Sequence, residues 1–182
     1  MKRVITLATY VTMVRICFIP CIVVSMMAQA WVAATVFFVL ASLTDVIDGI
    51  LARSVSEVSW LGTILDPLAD KILVISVYAG LVYGEFIPVR LPGWFLGFVI
   101  LHEIILIAGT VYWSFFKDKI AITVSRLAKL VGVAQFLFIF WALLCGIIGI
   151  APVVLFYVVV GLIALARMCV LIQYGFWAYE RI

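Results

Sequence analysis

The chain is a near-continuous series of apolar runs, each about as long as a bilayer is thick, separated by short polar punctuation. A spanning helix needs roughly 20 such residues. Runs of that length occupy residues 4–28, 31–53, 61–83, 91–115, 128–148 and 151–177. The pattern predicts an all-α polytopic membrane protein with six transmembrane helices. Only 12% of the residues are charged, against about a quarter in a soluble domain, so a water-soluble globule and a disordered chain are both excluded. The runs use up the 182 residues, so residues 1–182 are expected to form one membrane domain. Pro20 marks a kink in the first span, Gly149 and Pro152 a tight turn, and Pro88 and Pro92 bracket the connection after the third span. Met1-Lys2-Arg3 before an apolar run imitates a signal peptide, but no cleavage pattern follows, and the first span is expected to stay attached.

A formal charge of +3 without a basic, aromatic-interleaved patch argues against nucleic-acid binding. Cys17, Cys21, Cys145 and Cys169 all lie in apolar stretches with no CxxC pair and read as packing residues. Basic residues set the orientation. With six spans, one side of the membrane receives Lys2, Arg3, Arg53, Lys117, Lys119, Arg126 and Arg181, and the other only Arg90. Basic residues mark the cytoplasmic face, so both termini are expected inside.

The acids are concentrated. Of nine acidic residues, Asp45, Asp48, Asp66 and Asp70 fall within one short stretch. Asp45 and Asp48 are spaced i,i+3 near the cytoplasmic end of span two, and Asp66 and Asp70 i,i+4 at the start of span three, so each pair projects from one helix face. A short connection makes the two spans expected antiparallel neighbours, with four carboxylates at one depth. Salt bridges to Arg53 and Lys71 would still leave two negative charges in surplus. A carboxylate in hydrocarbon costs at least about 2.5 kcal/mol, so the surplus calls for a cation. Oxygen-only donors with no clustered His or Cys suit Mg²⁺, Mn²⁺ or Ca²⁺. Gly49, Ala52 and Gly62 leave space beside the acids, and Pro67 frees the carbonyl of Thr63.

As one string the segment reads Asp45-x-x-Asp48-Gly49-x-x-Ala52-Arg53, eight residues, then Gly62-x-x-x-Asp66-x-x-x-Asp70. This resembles the signature of the CDP-alcohol phosphatidyltransferase family, and the six-span layout agrees over the whole length. Leu65-Asp66-Pro67-Leu68-Ala69-Asp70-Lys71 and Phe86-Ile87-Pro88-Val89 are similar to the phosphatidylglycerophosphate synthase and cardiolipin synthase branches. The resemblance implies transfer of a phosphatidyl group from CDP-diacylglycerol to an alcohol, with release of CMP. It implies that Asp45, Asp48, Asp66 and Asp70 hold two Mg²⁺ or Mn²⁺ ions and that Asp70 also accepts the proton of the attacking hydroxyl. Gly49, Arg53, Ser59 and Gly62, with Thr12 and Arg15, match donor-side positions. Two metals would neutralise the pyrophosphate, and Arg53 can grip phosphate oxygens with its fork.

Elsewhere the pattern departs. Thr9 stands where the synthase branches often have asparagine, His102-Glu103 where an Arg-acid pair is frequent, and Ala128 and Gly132 where glycine and threonine are usual. Ser125, Arg126 and Lys129, with Arg167 in span six, form a candidate basic site for an acceptor that carries its own phosphate. Glycerol 3-phosphate is the preferred acceptor, and phosphatidylglycerol, which would make the chain a cardiolipin synthase, the alternative. Glu103 is expected to pair with Lys129 or Arg126. His102 reads equally as a packing residue, and the tryptophans and tyrosines mostly as interfacial anchors. The family usually forms homodimers, and the lack of a transit-like pattern favours a bacterial inner membrane with the site facing the cytoplasm. Two rival readings differ in class: a small cation transporter using the carboxylates, and an inactive binding subunit. Transport predicts acids scattered over several spans, and the second is opposed by the presence of all four aspartates.

Overall fold

Every regular element among the described residues is an α-helix, as expected where a bilayer offers the backbone no hydrogen-bond partner. The computed structural model describes the backbone of residues 7–54, 60–84, 90–116 and 125–179, and the side chains of residues 12–44, 68–84, 90–109 and 125–177. The helices are α1 (Leu7–Met27), α2 (Trp31–Ser54), α3 (Trp60–Tyr83), α4 (Gly93–Phe116), α5 (Arg126–Ile148) and α6 (Val153–Tyr179). Their ends lie within three residues of those the apolar runs imply.

Local chemistry sets the boundaries. Ser125 opens α5 with its hydroxyl accepting from the Ala128 amide, and Gly149 closes it in the left-handed region at φ 73°. Pro152 then directly precedes α6. Pro20 lies inside α1, where its ring nitrogen cannot donate to the carbonyl of Ile16. Among the described residues two stretches, Arg126–Ile148 and Val153–Trp177, are long and apolar enough to cross a membrane, and Thr12–Met27, Trp31–Thr44 and Gly93–Gly109 form shorter apolar helical segments.

The helices pack in a definite order. α3, α4, α6 and α5 close a ring, each touching the next, while α1 lies against both α2 and α3 and α2 leans on α5. Among the described residues α2 and α3 make no close backbone contact, and both pack against α1. A short connection constrains how far apart two helix ends can be, but not whether a third helix fills the angle between them. Two close approaches hold this arrangement. A Cβ on Gly80 of α3 would come within 2.8 Å of the Met26 side chain of α1, and one on Gly146 of α5 within 2.7 Å of the Trp31 indole of α2. Several aromatics are structural rather than interfacial. Tyr78, Phe95, Phe138 and Phe156 are buried, and Phe138 stacks at an angle against Tyr78, Trp141 and Phe156.

Candidate active site

Counting outward from the turn at residues 28–30, Arg15 of α1 comes level with Thr44 of α2, and Thr12 with the stretch between Asp45 and Asp48. The side chains exploit this register. Arg15 is fully buried, its Nη1 donating to Asp70 Oδ1 of α3 at 2.5 Å and its Nε to Thr44 Oγ1 at 3.4 Å. Thr44 in turn donates to the carbonyl of Ala41 at 2.6 Å. Thr12, one turn before Arg15, is buried as well. One guanidinium therefore ties the residue preceding Asp45 on α2 to the last aspartate of the motif on α3. The Asp70 side chain keeps 34% of its surface exposed, so this carboxylate is reachable while its counter-ion is not.

The rest of the motif is visible at the level of backbone. Asp45, Asp48, Gly49 and Arg53 lie on α2, and Gly62 and Asp66 on α3, with their side chains outside the described residues; Ser59 lies outside them altogether. Asp66 sits one helical turn before Asp70. Among the described residues no group of three or more His, Cys, Asp or Glu side chains assembles, and the carboxylates of Asp45, Asp48 and Asp66 are not among those. The donor set of the motif, four carboxylates on two helices, fits a hard divalent ion.

A second polar cluster occupies the centre of the four-helix ring. Glu103 of α4 divides its carboxylate: Oε2 accepts from Lys71 Nζ of α3 at 3.0 Å and Oε1 from Arg167 Nη1 of α6 at 3.1 Å. The same Nη1 lies 2.9 Å from His102 Nδ1. Guanidinium only donates, so Nδ1 is the acceptor and a neutral imidazole carries its proton on Nε2. That Nε2, Arg167 Nε, Gln135 Nε2 and the Tyr78 hydroxyl are buried without a hydrogen-bond partner. The expected pairing of Glu103 with Lys129 or Arg126 is thus overturned. α4 packs between α3 and α6, whose bases it meets, whereas Arg126 and Lys129 are exposed on α5. The signal for this cluster was present, since a lone acid in one span requires a base and α3 and α6 each offer one. Which base it meets depends on helix order.

The candidate acceptor residues separate. Ser125 serves as the α5 cap, and its backbone N–H donates to the Tyr174 hydroxyl of α6 at 3.2 Å. Arg167 lies seven residues further from that end of α6 than Tyr174, about 10 Å deeper at 1.5 Å per residue. It is 1% exposed and engaged by Glu103 and His102, while Arg126 and Lys129 stay at the exposed rim. The three cations expected at one site are therefore divided between the bundle interior and its edge. A Cβ on Gly132 would meet nothing within 4 Å, so that face of α5 is open.

Comparison with known proteins gives the chain its relatives. The sequence profile of a family described as CDP-alcohol phosphatidyltransferase matches residues 5–171. Cardiolipin synthase (CMP-forming) of Rattus norvegicus is 36% identical over 108 residues, covering 59% of this chain and 34% of that protein. A CDP-diacylglycerol–glycerol-3-phosphate 3-phosphatidyltransferase of Blochmanniella floridana is 33% identical over 145 residues, 78% of this chain and 75% of that protein. The chloroplastic/mitochondrial enzyme of that name, number 1 of Arabidopsis thaliana, is 39% identical over 76 residues, 40% of this chain and 26% of that protein. The chain spans about a third or less of the length of these two larger eukaryotic relatives. With the profile running from before α1 into α6, the chain belongs to the CDP-alcohol phosphatidyltransferase family.

Proposed function

We propose that the chain is an integral membrane phosphatidyltransferase of phospholipid biosynthesis. It moves the phosphatidyl group of CDP-diacylglycerol onto the hydroxyl of a phosphate-bearing alcohol, with glycerol 3-phosphate preferred, and releases CMP. The observation that carries this reading is Arg15, which joins Thr44 beside Asp45 on α2 to Asp70 on α3 and so supports convergence of the two halves of the motif. The family uses divalent metal. In this reading Asp45, Asp48, Asp66 and Asp70 hold two Mg²⁺ or Mn²⁺ ions, which when bound neutralise the pyrophosphate and the charge that develops on the departing CMP.

The chain's own groups account for the remainder. The acceptor oxygen bonds to the phosphorus that carries the lipid, the bond from that phosphorus to the CMP oxygen breaks, and the hydroxyl proton passes to Asp70. Arg15, holding Oδ1, fixes the orientation of that carboxylate. Gly49, Arg53, Ser59 and Gly62 line the donor side, Arg53 by its fork. Ser125, Arg126 and Lys129 receive the acceptor at the rim. Arg167 is too deeply engaged to meet it in the arrangement seen here.

Six spans, a bacterial inner membrane and a homodimer complete the reading, with both termini cytoplasmic as the positive-inside distribution of lysine and arginine supports. A second reading, a cardiolipin synthase accepting from phosphatidylglycerol, is favoured by the similarity to the rat and human cardiolipin synthases. One experiment tests both: purified protein with CDP-diacylglycerol, Mg²⁺ and a panel of alcohols, with the lipid products identified by mass. Phosphatidylglycerophosphate supports the first reading and cardiolipin the second. The absence of CMP release with every acceptor overturns both.

A further inference from the structure

Asp70 and Lys71 are consecutive on α3, yet their charged ends leave the helix in different directions, Asp70 toward Arg15 of α1 and Lys71 toward Glu103 of α4. A lysine adjacent in sequence to a cation-binding carboxylate is a competitor for it. Its ammonium is a compact point charge on a flexible stem, free to swing toward nearby anions unless something holds it. Here Glu103 holds it at 3.0 Å, with only 26% of the Lys71 side chain exposed. The other Glu103 oxygen holds Arg167, so one carboxylate compensates two cations buried in the ring. His102 Nδ1 accepts from the same Arg167 nitrogen and so adds a neutral anchor for the guanidinium.

We infer that Glu103 is a positioning residue that keeps Lys71 away from the aspartate motif, preserving the negative potential a divalent ion needs there. The inference rests on the phosphatidyltransferase reading for the role of the aspartates and adds to it a residue outside the motif, on a different helix. Loss of the Glu103 charge leaves Lys71, the neighbour of Asp70 in sequence, without its partner. One extra positive charge near the motif opposes a divalent ion across a medium of effective dielectric near 20, which weakens its binding by at least about tenfold.

The test is a Mn²⁺-binding curve on the full-length protein in detergent, read by electron paramagnetic resonance of the free ion, alongside the Mg²⁺ dependence of CMP release. Glu103→Gln is expected to bind Mn²⁺ about tenfold more weakly and to need correspondingly more Mg²⁺ for half-maximal rate, with the rate at saturating Mg²⁺ largely restored. Adding Lys71→Gln to that variant should recover a substantial part of the Mn²⁺ affinity. A helix merely loosened by loss of an ion pair would gain nothing from removal of the second partner. An unchanged Mn²⁺ curve in Glu103→Gln, or no recovery in the double variant, overturns the inference. Should Glu103→Gln fail to fold, Lys71→Gln alone decides. Its Mn²⁺ binding must be at least as tight as in the wild type, and weaker binding overturns the inference. If the wild-type protein binds Mn²⁺ but releases no CMP, the transferase reading fails separately from this one.

Discussion

Asp70 and Glu103 are both carboxylates on apolar helices, and they meet opposite surroundings. Asp70 sits at the end of a segment with four aspartates, one-third exposed, with a fully buried arginine on one oxygen. Glu103 is 16% exposed inside a ring of helices, with a base on each oxygen and a histidine beside one of them. The first segment carries four aspartates in sequence, with Asp70 open to solvent; the second sets Lys71 and Arg167 against one acid, Glu103. An acid in surplus negative charge attracts something from outside the protein, and an acid bracketed by bases organises what is inside. The same functional group therefore meets an exposed setting in one place and a buried network in the other.

The largest test of that contrast is removal of the cation. EDTA is expected to abolish CMP release and Mg²⁺ or Mn²⁺ to restore it, because four aspartates in one short stretch call for a cation. Full turnover in chelator would make the aspartate segment structural like the Glu103 network. Next in size is Asp70→Asn, expected to lower turnover by about 10²–10⁴-fold, the usual worth of a general base. Binding of CDP-diacylglycerol, measured directly, should survive better than in Asp45→Asn. A near-normal rate would move the base to another residue.

His102, a partner of Arg167 outside that motif, should respond in stability instead. His102→Ala removes the acceptor for a buried guanidinium N–H and should cost about 1–3 kcal/mol, seen as a lower thermal midpoint in detergent. The rate at saturating substrate should change little, and His102→Gln, which can still offer an acceptor, should recover part of the midpoint. A rate collapse with an unchanged midpoint would place His102 in the chemistry. The smallest effect belongs to the rim. Lys129→Ala should raise the apparent KM for the acceptor about threefold, the scale of an exposed ionic contact, and leave the KM for CDP-diacylglycerol unchanged. A rise in the donor KM would assign Lys129 to the nucleotide side.

Of the architecture, the helices themselves were legible. Their ends followed from apolar runs and from punctuation such as Ser125, Gly149 and Pro152, because helix boundaries are set by neighbours in the chain. The aspartate motif was legible for the same reason, its spacing being a property of the string. Contacts between helices were not. Glu103 was matched to bases on α5 because those bases lie near a helix end that short-range reasoning favours, and it found α3 and α6 instead. Arg15 read as a donor contact, and the fold sets it on Asp70 and Thr44.

Sequence alone determined that this chain is a set of apolar helices with four of its acids gathered in one short stretch of α2 and α3, since length, polarity and i,i+3 or i,i+4 spacing are local quantities. Only the tertiary structure decided that α1 packs against both of those helices with Arg15 as the link, and that Lys71, Glu103, His102 and Arg167 form one network. The apolar faces of such helices are nearly interchangeable to hydropathy, so helix order is chosen by shape, as at Gly80 against Met26 and Gly146 against Trp31. A few polar groups then have to find partners in an interior that offers them no water.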